Sequence, residues 1–119
     1  MKIVVSSSGT LPESPVDARF GRAAYFVLVD TESGAIEAHG NEQNLNAVQG
    51  AGIQAAQTLC RLGAEVVITG HCGPKAFRTL QAAGIQVVVG AEGTVADAVE
   101  QFKNGQLVPT SAPDVDGHW

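Results

Sequence analysis

Glu65-Val66-Val67-Ile68-Thr69-Gly70-His71-Cys72-Gly73-Pro74-Lys75-Ala76-Phe77 is the stretch on which the fold turns. Its first half is a compact apolar run, the pattern of a short strand covered on both faces. The chain then breaks at glycine. Pro74 suits the first turn of a helix, where its missing N–H has no intrahelical partner to lose. Ala76, Phe77, Leu80 and Ala83 follow at helical spacing as the expected inward face, and Gly84 ends the helix. Ile85 to Val89 repeats the buried-strand pattern. A strand, a helix and a second buried strand in this order form a parallel crossover unit.

Working outward from this unit, Thr94 stands where a helix cap is needed, with Asp97 three residues on and Val95, Ala98, Val99 and Phe102 on one side. Gly105 closes that helix. Upstream, Gly50 to Leu62 places Ala55, Ala56, Leu59 and Leu62 at helical spacing and stops at Gly63. Before it, Ala24 to Thr31 and Ala35 to Gly40 read as strands joined by Glu32-Ser33-Gly34, a connection that makes them antiparallel neighbours. Lys2 to Ser6 is the first strand, and Ser6-Ser7-Ser8-Gly9 opens a long connection, through Pro12 and Pro15, with no clear period. The expectation is a three-layer α/β/α domain on a mixed five-stranded sheet with an antiparallel hairpin strand. It spans 1–105, and 106–119, with two prolines and no apolar period, is expected to be a flexible tail.

The composition narrows the function. In 119 residues, 45% hydrophobic, there is apolar surface for one core. A formal net charge of −5 with only 16% charged residues offers no general attraction for phosphate backbones or anionic lipid, so neither nucleic acid nor membrane is an expected partner. The apolar run after Met1 is too short for a signal peptide or a membrane span, and the chain reads as cytoplasmic. Two cysteines then imply reduced thiols rather than a disulfide framework. Cys60, on the helix beside Ala56 and Leu59, reads as a small core residue.

In an open parallel sheet, ligands collect beyond the carboxyl ends of the strands. Those ends carry the Ser6, Ser7, Ser8 loop, the Gly70 to Lys75 turn and the Gly90 to Gly93 loop. The helix start after Gly73 favours an anion through its N–H groups and dipole, and Lys75 adds a positive charge. Cys72 as thiolate and His71 through an imidazole nitrogen suit a soft metal. The other reading is a buried turn thiol beside a solvated histidine, since two donors do not complete a closed metal site. Arg19 and Arg22 flank Phe20-Gly21, where they either pair with Asp17 or hold an anion together. His39 reads as an edge-strand histidine. His118, beside Trp119, either folds over a ligand or belongs to a disordered end. No nucleophile, base and orienting residue are spaced as a catalytic motif, and Gly50-Ala51-Gly52 lacks the lysine and hydroxyl of a phosphate loop.

The segment Asp17-Ala18-Arg19-Phe20-Gly21-Arg22-Ala23 and the segment Gly70-His71-Cys72-Gly73-Pro74-Lys75-Ala76-Phe77, with Leu80 and Ala83-Gly84-Ile85 after it, together resemble the dinitrogenase iron-molybdenum cofactor-binding family. The resemblance covers residues 1–105. It implies a ribonuclease H-like fold and an anionic metal-sulfur cluster as ligand. Members of that family include nitrogenase accessory factors that carry cofactor precursors and a protein that holds a molybdenum-copper sulfide cluster non-covalently. Applied to this chain, it implies a non-catalytic carrier of a molybdenum- or iron-containing sulfide cluster, with or without copper, that exchanges it with donor and acceptor proteins. The expected contacts are Ser6, Ser7, Ser8, Arg19, Phe20, Gly21, Arg22, Gly70, Gly73 and Lys75, with His71 and Cys72 toward the metal. A regulatory or protein-interaction domain without a cluster is the alternative. A nuclease would need clustered carboxylates for two metal ions, and Asp17, Asp30 and Glu32 form no such pattern.

Overall fold

A computed structural model describes residues 1–41 and 51–111. The elements in chain order are β1 (Lys2–Ser7), β2 (Tyr25–Asp30), β3 (Ile36–Gly40), α1 (Ala51–Leu62), β4 (Val66–Ile68), α2 (Pro74–Ala82), β5 (Gln86–Val88) and α3 (Val95–Lys103). One five-stranded sheet runs in the order β3-β2-β1-β4-β5. β1 is parallel to β4, and β4 to β5, while β2 is antiparallel to both β1 and β3. The α/β architecture with a mixed sheet and an antiparallel hairpin strand is the one expected from the sequence.

The register shows why the strands are apolar on both faces. Leu28, Val4, Val67 and Val87 lie side by side across four strands and join Ala55, Leu59, Phe77 and Leu80 in one core. Val27, Val5, Ile68 and Val88 form the next row and pack with Val95, Ala98 and Val99 in a second. Helices α1 and α2 therefore cover one face and α3 the other, with alternate residues of each strand serving opposite layers. Burying a Val or Leu side chain in this way contributes about 1.5–3 kcal/mol, so the central strands anchor the domain. Where Gly52 meets Ala76, a Cβ on the glycine would lie 3.0 Å from the Ala76 Cβ, and its absence lets α1 close on the first turn of α2.

The helix ends follow the sequence closely. Thr94 and Asp97 form a complete capping box, and Gly63, Gly84 and Gly105 take positive φ after the three helices. The hairpin turns through Gly34 at φ 76°, with Gly34 N–H donating to Asp30 O at 2.8 Å.

Two expectations are corrected. Cys60 is exposed, not a core residue. The buried face of α1 is set by Ala55, Ala56 and Leu59, and Cys60, one residue or 100° past Leu59, rotates out of it. Ala83 is likewise exposed, because the helix has ended at Ala82 and Ala83 is its C-cap. After α3 the chain returns to the sheet edge, where Thr110 N–H donates to Val87 O at 2.8 Å. His118, Trp119 and the rest of 112–119 lie outside the described residues, as does the Gly50 start of the first helix. Among the described residues no helix is long and apolar enough to cross a membrane.

Candidate functional site

The carboxyl ends of β1, β4 and β5 are tied together by the aperiodic connection from Ser8 to Ala24. It runs across all three ends and is ordered by backbone hydrogen bonds. Asp17 N–H donates to Ser6 O at 2.8 Å, Val16 N–H to Gly93 O at 2.9 Å, and His71 N–H to Ala18 O at 2.7 Å. Phe20 N–H returns to His71 O at 3.2 Å, and Arg19 and His71 form a parallel bridge. The turn after β4 also reaches the loop after β5, through Gly90 N–H to Gly70 O at 2.8 Å.

Gly70 is where this assembly is tightest. A Cβ there would stand 2.8 Å from both the Cα and the carbonyl oxygen of Ala18, a contact that only backbone movement relieves. The glycine is required by the close approach of the loop. The arginine segment and the His71-Cys72 turn, far apart in sequence, thereby become neighbours.

Phe20 to Ala23 is a turn closed by Ala23 N–H to Phe20 O at 3.5 Å, with Gly21 and Arg22 in its centre. Phe20 is 2% exposed and its ring lies 5.4 Å from that of Phe26, so this side chain anchors the segment in the core. Arg19 is exposed and Arg22 half-buried. Asp17 Oδ1 accepts the backbone N–H of Arg19 at 3.1 Å, a local turn contact rather than an ion pair with its guanidinium.

The serines divide by depth. Ser6 is fully buried, with its Oγ 2.8 Å from Asp17 O and 2.7 Å from Thr69 Oγ1. One hydroxyl has one proton, so Thr69 donates to Ser6 when Ser6 donates to the carbonyl. Ser7 Oγ donates to Gly9 O at 2.8 Å and accepts Gly9 N–H at 3.1 Å. Both hydroxyls shape the loop from within, and Ser8 alone of the three is exposed.

At the start of α2, Gly73 is the N-cap with extended backbone and no side-chain hydrogen bond, Pro74 follows, and the first turn has no acidic residue. Lys75 is exposed in that turn. Cys72 is 1% exposed within the core that contains Phe20 and Phe77, its Sγ 3.7 Å from Gly73 O, and His71 is half-buried beside it. Among the described residues no three His, Cys, Asp or Glu side chains gather as a metal-holding group. Among the described residues the arrangement offers a helix start without a side-chain cap, nearby cationic side chains and the two soft donors His71 and Cys72, a setting that favours an anion.

Asn41, just after β3, escapes the sequence reading. It is 3% exposed, and its Nδ2 donates to Ala23 O at 2.8 Å and Gly21 O at 3.3 Å. An asparagine after a strand is an ordinary loop residue by sequence, and only the fold brings it against the arginine turn.

Comparison with known proteins adds the following. A model of the family described as dinitrogenase iron-molybdenum cofactor matches residues 1–105. The apo form of the orange protein from Desulfovibrio gigas is 45% identical, with a TM-score of 0.94 over 96% of each chain. A Thermotoga protein described as a candidate NifB protein of the DUF35 family is 35% identical, with a TM-score of 0.84 over 98% of each chain. An uncharacterized protein of Methanocaldococcus jannaschii is 28% identical over 90 residues, 74% of this chain and 76% of that one.

Proposed function

Since the chain belongs to the dinitrogenase iron-molybdenum cofactor family, we propose that it is a non-catalytic carrier of an anionic metal-sulfur cluster, held at the carboxyl ends of β1 and β4. The cargo in this reading is an iron-molybdenum cofactor precursor or a molybdenum-copper sulfide cluster, received from a donor protein and passed to an acceptor. The kinship with the orange protein and with the Thermotoga protein supports a cluster as ligand.

The observation that carries the reading is the paired junction of Ala18-Arg19-Phe20 with Gly70-His71, bonded at 2.7 and 3.2 Å. It pairs Arg19 with the turn that leads into a helix start with a lysine in its first turn and no side-chain cap, and Arg22 follows three residues later in the same segment. An anionic sulfide cluster needs such N–H donors and cations, together with an apolar wall. Arg19, Arg22 and Lys75 supply charge, Gly21, Gly70 and Gly73 allow close approach of backbone, and Ser8 lies at the rim. Ser6, Ser7 and Phe20 act by holding the loop. His71 and Cys72 are the residues that would ligate the metal, and Cys72, 1% exposed in the core, would have to be uncovered for its sulfur to do so.

The test is reconstitution. Apo protein is titrated with tetrathiomolybdate and a copper salt, followed by visible absorption, gel filtration and metal analysis. A stoichiometric coloured complex is expected, and failure to retain metal through the column overturns the reading. Cys72→Ser, His71→Ala and Arg22→Ala then separate ligation from anion holding. If only Arg22→Ala loses the cluster, the thiolate part of the reading is wrong.

A further inference from the structure

We infer that Asn41 is the positioning residue of the arginine turn, setting the backbone from which Arg22 engages an anionic ligand; this rests on the carrier reading above. Three carbonyls of one short segment converge on this residue. Its side-chain amide has two N–H groups, and Gly21 O and Ala23 O accept from Nδ2 at 3.3 and 2.8 Å. Its own backbone N–H donates to Ala24 O at 3.0 Å.

The two side-chain acceptors flank Arg22. Gly21 O belongs to the peptide that precedes Arg22, and Ala23 O to the peptide that follows Ala23, so the amide fixes the planes on either side of the turn. The turn's own closing bond, Ala23 N–H to Phe20 O, is long at 3.5 Å and does not hold that geometry alone. The neighbouring anchors act at the ends: Phe20 is held by His71 O and by its ring in the core, and Ala23 is fully buried. Between them Asn41 bonds the carbonyls of Gly21 and Ala23, on either side of Arg22.

Burial makes the amide specific. At 3% exposure, water does not readily replace a lost donor. Aspartate, nearly the same shape, would set carboxylate oxygens against two carbonyl oxygens, and alanine would leave both carbonyls without the amide. Serine keeps one short donor.

The experiment compares wild type, Asn41→Ala, Asn41→Ser, Arg22→Gln and the Asn41→Ala/Arg22→Gln double variant. Each is titrated with tetrathiomolybdate plus a copper salt, and each fold is checked by circular dichroism and urea unfolding. Asn41→Ala is expected to remain folded and to weaken retention by roughly tenfold, the scale of losing hydrogen bonds that orient a charged contact. Arg22→Gln should then have a smaller effect in the Asn41→Ala background than alone, a non-additivity that a purely structural role would not produce. If Asn41→Ala fails to fold, Asn41→Ser carries the same test with a smaller expected loss. Wild-type binding with unchanged affinity in the folded variants, or additive effects, overturns the positioning role alone. No binding by wild type overturns the carrier reading, and the inference with it.

Discussion

Helices α2 and α3 both leave the carboxyl end of the parallel strands, yet their first turns are finished in opposite ways. At α3, Thr94 Oγ1 accepts Asp97 N–H at 3.1 Å and Asp97 Oδ2 accepts Thr94 N–H at 3.2 Å. The next two N–H groups, of Val95 and Ala96, donate to Ser14 O and Pro12 O, both at 2.9 Å. The start of α3 is thus closed by the chain itself. At α2, Gly73 has no capping side chain, Pro74 removes one donor, and among the described residues nothing corresponding accepts from Lys75 or Ala76. Its lysine even opposes the helix dipole. The same long connection that seals α3 with its Pro12-to-Ser14 part pairs Arg19, in its later part, with His71, two residues before the N-cap of α2. One helix start is closed by side chain and loop, and the other lacks both closures among the described residues.

The largest expected effect comes from breaking the junction that serves the open start. Gly70→Ala places a Cβ against Ala18 backbone, with no flexible side chain to yield. Unfolding in urea should show a loss of roughly 1–3 kcal/mol, the usual scale of overpacking, and cluster retention should fall with it. Unchanged stability and retention would mean that the loop and the turn are not held together as described.

The closed start should behave differently. Thr94→Ala removes the hydroxyl half of the capping box and should cost about 1 kcal/mol in the same urea titration. Cluster retention should stay at the wild-type level, because Thr94 faces the cap and not the arginine turn. A loss of retention larger than the loss of stability explains would make the two starts one site.

How much of this contrast can be read from sequence differs between its halves. Thr94, Asp97 and the periodic apolar residues after them are local signals, and the capping box forms where they predict it. The regular elements are legible for the same reason, since the valines of β1 and β4 and the glycines after each helix act through neighbours in the chain. The connection from Ser8 to Ala24 is different. Its order comes from carbonyls of Pro12, Ser14 and Ala18 bonded to residues far along the chain, and backbone partners leave no mark on side-chain pattern. Asn41 is hidden for that reason. Cys60 shows the other limit: spacing locates the apolar stripe of α1, but the width of the stripe, which excludes Cys60, depends on what packs against it. Gly70 reads as a turn glycine in the sequence, while the need for it arises from Ala18.

Lys75→Glu sharpens the contrast by separating stability from binding. An acid in the first turn suits the helix dipole, so the exchange should stabilise the protein by roughly 0.3–1 kcal/mol. The same charge reversal should weaken retention of an anionic cluster, with the weakening reduced at high salt. Urea unfolding and cluster titration should therefore move in opposite directions. Movement in the same direction would assign Lys75 to the fold and remove it from the site.

The smallest expected effect lies in the β2-β3 hairpin, a second place where the chain satisfies its own N–H groups. Asp30 Oδ1 accepts N–H from Glu32 at 3.0 Å and from Ser33 at 3.4 Å. These bonds hold the carboxyl below its ordinary value of 3.8, assisted by the positive charges of the amino terminus and Lys2. The folded state therefore prefers the ionised form more than the unfolded chain does. The resulting stability is present above the unfolded value and is lost as pH falls through the folded one. Asn at this position keeps the acceptor oxygen and removes the titration. Urea midpoints of wild type and Asp30→Asn, measured from about pH 5 down to about pH 2, should converge as the wild-type carboxyl is protonated, in a step small because the group is exposed. Parallel curves would show that the carboxylate does not close this turn.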